Sequence, residues 1–159
     1  GKSLGISADH LNSGYGVIVD TGTTFIIVDT EMMKAYTASL QAMCAQGINL
    51  VGLCNVTTNN ILDGFCFNMT QQQVDMYPKL YFTLWNNDDH SKPFTLEIGP
   101  RQLLQQVCGD SSFAFGLQAQ PGLGLIILGD TLISSYHVVF DKHEMVMGWA
   151  STQTCPRAN

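Results

Sequence analysis

The chain is expected to form a mainly β domain with a few short helices, and three observations predict it. The first is Gly16-Val17-Ile18-Val19-Asp20-Thr21-Gly22-Thr23-Thr24-Phe25-Ile26-Ile27-Val28. An apolar, β-branched run delivers Asp20 into a tight glycine turn, and a second apolar run leaves it. The second is Leu125-Ile126-Ile127-Leu128-Gly129-Asp130-Thr131-Leu132-Ile133, another apolar strand ending in Gly-Asp. The third is the pair Tyr136-His137-Val138-Val139-Phe140-Asp141 and Met145-Val146-Met147-Gly148-Trp149-Ala150, two strands around an Asp-centred turn. At 159 residues the chain has the size of a single domain, 1–159, with room for a real core.

Taken in order, 1–13 is polar and Tyr15 to Val19 is a strand. Asp29-Thr30-Glu31 precedes Met32 to Met43, so Asp29 is expected to cap a helix. Met33, Tyr36, Leu40 and Met43 fall on one face of it and read as core. Asn55 to Asp63 is polar and loop-like. Val74 to Leu84 approaches Pro78 and then becomes a strand, paired with Phe94 to Ile98 across a hairpin turn at Asn86 to His90. Arg101 to Cys108 is expected to be a short helix after Pro100. Gly116 to Gly124 is a glycine-rich approach to the Ile126 strand. Asp130 is placed to cap a short helix starting near Thr131. Gly129 lets the backbone pass close to another segment, the Asp20 loop.

Composition excludes several classes. The chain is 45% apolar and only 13% charged, against a usual charged share of about 25%. The net charge is −6, with seven basic residues and no basic cluster, so a nucleic-acid partner has no electrostatic support. An acidic, lysine-poor chain suits work in acid. No apolar run is long enough to span a membrane as a helix. The four histidines form no His-x-x-x-His pair, the cysteines form no Cys-x-x-Cys pair, and Asn86 to His90 lacks the spacing of an EF-hand loop, so no metal is expected. Gly116 to Gly124 leads into a strand without a Gly-Lys-Ser/Thr and is no phosphate loop. There is no Gly-x-Ser-x-Gly elbow for a serine nucleophile. No cofactor is expected.

The DTGTT loop between apolar strands, the later ILGD, and the YHVVFD and MGWA runs resemble, as an ordered set, the C-terminal lobe of a pepsin-like aspartic protease. The resemblance covers about Gly14 to Ala150. It implies the pepsin-like acid-protease fold, in which this chain is one lobe of two and each lobe carries one Asp-Thr/Ser-Gly loop. It implies that Asp20 is the second catalytic aspartate and that the Thr21 hydroxyl ties the two catalytic loops together. By the same resemblance Thr23 bonds the outer oxygen of Asp20, and Leu128-Gly129 underlies the loop with Gly22. Thr24, Phe25 and Ile27 are then expected along an apolar substrate cleft. The segment around Ala45 to Phe65 is longer than a minimal lobe requires. The opening at Gly1, with no methionine, suggests a processed fragment, one chain of a cleaved enzyme, or an excised piece.

The five cysteines are Cys44, Cys54, Cys66, Cys108 and Cys155. The resemblance favours a Cys66–Cys108 disulfide across the strand pair. Cys44–Cys54 would then staple the insertion, and Cys155 would reach the missing lobe or remain free. The sequons Asn55-Val56-Thr57 and Asn68-Met69-Thr70 would make Asn55 and Asn68 glycosylation sites. The cysteines and sequons point to the secretory pathway, with a secreted or acidic vacuole-like or lysosome-like destination, and the resemblance implies a zymogen.

Peptide hydrolysis by this chemistry needs two carboxylates, and the chain supplies one such loop. The expected function is therefore an aspartic endopeptidase that is incomplete as a single chain. Its partners would be an N-terminal lobe, as a separate chain or missing segment, and a peptide or protein substrate. The alternative is an inactive pepsin-like protein used for binding or for interaction with inhibitors. A retroviral-type homodimer would also carry one DTG per chain, but its protomers are shorter than this one.

Overall fold

In the computed structural model, which describes residues 2–85 and 93–152, short strands dominate and one long helix stands among short ones. In chain order the first elements are α1 Ala8–Leu11, β1 Val17–Val19, β2 Ile26–Val28 and α2 Thr30–Ala45. A 3-10 turn follows at Ile61–Asp63, then β3 Phe67–Asn68, α3 Gln71–Val74, β4 Leu80–Trp85 and β5 Pro93–Ile98. The last are α4 Pro100–Leu103, β6 Leu104–Gln105, β7 Ser112–Phe115, β8 Leu117–Ala119, β9 Ile126–Leu128, α5 Asp130–Ile133, β10 Tyr136–Asp141 and β11 Val146–Ser151.

The central sheet has the order β1-β9-β2-β8. β9 runs parallel to β1, with Val17, Ile18 and Val19 opposite Ile126, Ile127 and Leu128, and antiparallel to β2 through Ile27 and Ile127. Strand alternation sorts these residues onto two faces. Ile26, Val28, Ile126 and Leu128 are buried in the core, and Ile18, Ile27 and Ile127 line the other, more open face. Beside this sheet stand the hairpins β4–β5 and β10–β11 and the small sheet β3-β7-β6.

Helix α2 packs on the core through Met32, Tyr36 and Leu40, which are buried. Its N-cap is Asp29, whose Oδ1 accepts the Met32 N–H at 2.8 Å. The Asp29 Oδ2 meets His10 Nε2 at 2.5 Å and ties α1 to the start of α2. Burial pushes the Asp29 carboxyl up, but the Met32 amide and His10 together pull it further down, so it lies below its ordinary value. Met33 and Met43 sit at the margin of the core rather than within it.

Several sequence expectations shift here. The polar start contains α1, capped by the Ser7 hydroxyl. The polar stretch before Phe65 contains the Ile61–Asp63 turn, closed by a reciprocal Asn60–Asp63 capping box. The helix after Pro100 is four residues long and does not reach Cys108, because Leu104 turns extended and pairs with Phe115. The glycine-rich approach contains β8, which pairs in parallel with β2. Asp130 does not cap α5. Gly129 is the N-cap residue, no side chain caps this helix, and Asp130 is its first residue. Disulfides join Cys44 to Cys54 and Cys66 to Cys108, with Cα atoms 5.5 and 6.3 Å apart. The hairpin turn at Asn86 to His90 and Cys155 lie outside the described residues.

Leu40 is fully buried where α2 meets the core. Leu40→Ala should cost about 2–5 kcal/mol, read as a lowered midpoint in denaturant melts. A loss within a few tenths of a kcal/mol would contradict this packing.

Candidate active site

Asp20 stands where β1 ends, and its position is set by backbone bonds before its side chain is considered. Its N–H donates to the Leu128 carbonyl at 3.2 Å, extending the β1–β9 ladder by one residue. On the other side of the turn, the Asp130 N–H donates to the Thr23 carbonyl at 2.8 Å, and the Thr131 N–H to the Thr24 carbonyl at 2.9 Å. The Asp20 loop is thus sewn along its length to the segment that follows β9.

Gly129 makes this approach possible. A Cβ built there would collide with the carbonyl oxygens of Thr23 and Phe25, which are backbone atoms and cannot swing away. The glycine serves close approach here, not an unusual turn. Beneath it Thr131 is fully buried, and its hydroxyl donates to the Thr24 carbonyl at 3.1 Å and accepts from Gln105 Nε2 at 2.5 Å. Sequence reading passed over Thr131 and Gln105 as supports of the loop. The available signal was one hydroxyl inside an otherwise apolar run after Asp130.

The Asp20 carboxylate is held from within its own turn. The Gly22 N–H donates to Oδ1 at 2.9 Å and the Thr23 hydroxyl donates to Oδ2 at 2.6 Å. The Thr23 hydrogen bond, helped by that of Gly22 and opposed by slight desolvation, holds the carboxyl below its ordinary value. The group is partly exposed. Chemically it is an ionised, oriented acceptor that can bind a water or a second, protonated carboxyl.

The other expected residues fall as follows. Thr21, Gly22 and Thr24 are exposed around the turn, and Phe25 is partly covered. The Thr21 hydroxyl has no hydrogen-bond partner among the described residues. Leu128 is buried beneath Asp20. Ile27 lies two residues further along β2, on the open sheet face with Ile18 and Ile127. Asn55 and Asn68 are exposed, well separated in sequence from the loop. Among the described residues, no cluster of histidine, cysteine, aspartate and glutamate could hold a metal ion.

Comparison with known proteins gives one family. The profile described as "Eukaryotic aspartyl protease" matches residues 2–152. The chain is 27% identical to Penicillopepsin-1 of Talaromyces stipitatus over 151 residues, covering 95% of this chain and 32% of that protein. It is 27% identical to Aspergillopepsin-1 of Aspergillus oryzae over 134 residues, 84% of this chain and 28% of that protein. It is 23% identical to Beta-secretase of Strongylocentrotus purpuratus over 160 residues, 98% of this chain and 29% of that protein. The chain spans about a third of the length of these relatives.

Two outcomes test the geometry. Thr23→Val removes the bond at Oδ2, so the Asp20 carboxyl should titrate closer to its ordinary value, as followed by carbon NMR of that group. The depressed carboxyl favours the folded state above the ordinary aspartate range, and that contribution is lost as pH falls through its folded value. An unmoved Asp20 titration would show that Thr23 does not hold it. Gly129→Ala should destabilise the chain by about 1–3 kcal/mol through backbone collision, and a melt unchanged from the parent would refute the close approach.

Proposed function

Because the chain belongs to the eukaryotic aspartyl protease family, we propose that it is the C-terminal lobe of a pepsin-like aspartic endopeptidase and that Asp20 is one of its two catalytic aspartates. One observation carries this reading. A carboxylate is fixed at a strand end by donors to both oxygens, 2.9 and 2.6 Å away, while it stays partly exposed. Asp75 too is held at both oxygens and stays exposed, so what points to catalysis is the place of Asp20, in an Asp-Thr-Gly turn at the end of a central strand in a chain of this family.

The second aspartate comes from an N-terminal lobe. Two features favour such a partner. The Thr21 hydroxyl, beside Asp20, lacks a partner among the described residues. The β10–β11 hairpin exposes Val139, Phe140, Met145 and Met147, at 62, 50, 84 and 46%. Phe140 and Met147 are cross-strand partners on one face of the hairpin and offer apolar surface that a partner lobe would cover.

Two aspartates about 3 Å apart, as in aspartic proteases generally, cannot both stay ionised and so share one proton. The ionised carboxylate takes a proton from a water held between them, and the water oxygen bonds to the amide carbon. The protonated carboxyl gives its proton to the carbonyl oxygen. As the tetrahedral intermediate collapses, the carboxyl that took the water proton passes it to the amine nitrogen, the C–N bond breaks, and the other carboxylate recovers its proton from a hydroxyl of the intermediate. Asp20 alone cannot both accept and donate at the required moment. Thr21, Gly22, Thr23, Leu128 and Gly129 position it, and Thr24, Phe25 and Ile27 contribute apolar surface toward the substrate.

Disulfides fit an oxidising compartment, and Asn55 and Asn68 are accessible to glycosylation. We therefore place the enzyme in the secretory pathway, and its family resemblance favours synthesis as a zymogen.

The experiment is peptide hydrolysis at acidic pH by the chain alone and by the two lobes together. The lone chain should be inactive and the assembled enzyme active, with Asp20→Asn lowering turnover at least about a thousandfold while the melt is kept. Robust cleavage by the monomeric chain, or near-parental turnover of the assembled D20N enzyme, would defeat the reading. An assembled protein without activity would favour the inactive binding module instead.

A further inference from the structure

A second concave site lies between the β4–β5 and β10–β11 hairpins, and none of its lining residues belongs to the Asp20 loop. We propose that this cleft binds the guanidinium group of an arginine side chain presented by a peptide or protein partner. Its cavity is about 300 Å³, the lower end of the range for ligand pockets and suited to one long side chain.

The lining combines three aromatic rings with one carboxylate, that of Glu97. Tyr136 and Trp149 meet edge to face, their rings 5.8 Å apart at 84°, and Phe94 adds a third ring to the lining. The Tyr136 hydroxyl accepts the Glu97 N–H at 2.6 Å and donates to the Glu97 carbonyl at 3.0 Å. This clasp locks β5 against β10 and fixes the backbone from which Glu97 projects. The Glu97 carboxylate is partly exposed and pairs with Lys79 Nζ at 2.6 Å through Oε1. That pair joins two solvent-reached side chains and is readily exchanged.

Arginine fits this set better than other side chains. Its guanidinium is planar and weakly hydrated, stacks on aromatic faces and forks onto a carboxylate. It also brings donors to spare. The Ser135 hydroxyl, on a residue only 7% exposed at the cleft, has no hydrogen-bond partner among the described residues. A buried hydroxyl left unpaired is unfavourable. A turn about χ1 would let it accept a guanidinium N–H. The net charge of −6 favours a cationic partner at longer range.

The test is titration of the intact protein with N-acetylargininamide, followed by amide shifts of Glu97 and Trp149 in NMR spectra. Saturable shifts at those residues are expected, with a Kd of about 1 mM for so small a probe. The neutral analogue N-acetylnorleucinamide should leave them unmoved. Glu97→Gln should weaken binding about tenfold, and Lys79→Met, which frees the carboxylate, should tighten it. Trp149→Leu should also weaken it, which keeps the test decisive if E97Q folds poorly. Absence of saturation, an equal response to the neutral analogue, or unchanged binding by E97Q and W149L would overturn the proposal. None of these readouts involves peptide cleavage, so they stand or fall apart from the protease reading.

Discussion

The passage of β9 between β1 and β2 is the constraint on which the rest of the molecule depends. A strand inserted between two others must match both hydrogen-bonding edges, parallel on one side and antiparallel on the other. It must then leave the sheet under the turn that joins its neighbours. Only a residue without a side chain fits at that exit, because the Thr23 and Phe25 carbonyls stand where a Cβ would be. Gly129 therefore has two consequences. It lets the following amides bond to Thr23 and Thr24, and through them it shapes the loop that presents Asp20. The carboxylate's own bonds to Gly22 and Thr23 refine a position that the insertion has already set.

The two sides of this sheet serve different ends. Ile26, Val28, Ile126 and Leu128 join α2 and the remaining strands in the core. The opposite face, with Ile18, Ile27 and Ile127, stays more open. The β10–β11 hairpin buries Tyr136 and Trp149 against its neighbours only in part and leaves Val139, Phe140, Met145 and Met147 exposed around a charged turn. The molecule is thus well packed around the loop and incompletely covered at the hairpin.

Much of the site was legible in the sequence because its signals are local. A β-branched run into Asp-Thr-Gly, and a second into Gly-Asp, are strand-turn patterns that depend on neighbours in the chain. The Asp29 cap and the apolar face of α2 belong to the same kind. What escaped was set by partners distant in sequence. Leu104 leaves the helix after Pro100 because Phe115 offers it a strand edge, and Leu117 to Ala119 become a strand because β2 does the same. Asp130 resembles a cap in isolation. Its N–H, however, is drawn to Thr23, so the helix begins one residue earlier than the capping pattern suggests. Thr131 and Gln105 show the same limit, since their hydrogen bond joins residues 26 positions apart.

The bond between the Thr131 hydroxyl and the Thr24 carbonyl spans 107 positions. The cost of closing such a loop grows only with the logarithm of its length, but the ends must meet before the contact repays it. As the chain leaves the ribosome, β1 and β2 emerge with a gap between them that no nearby segment can fill. The Asp20 turn stays without its support until Gly129 and the residues after it have been made. The Asp20 loop therefore completes only after the segment that supports it has been made, and the nascent chain carries an unsatisfied central strand site while the residues between β2 and β9 are synthesised.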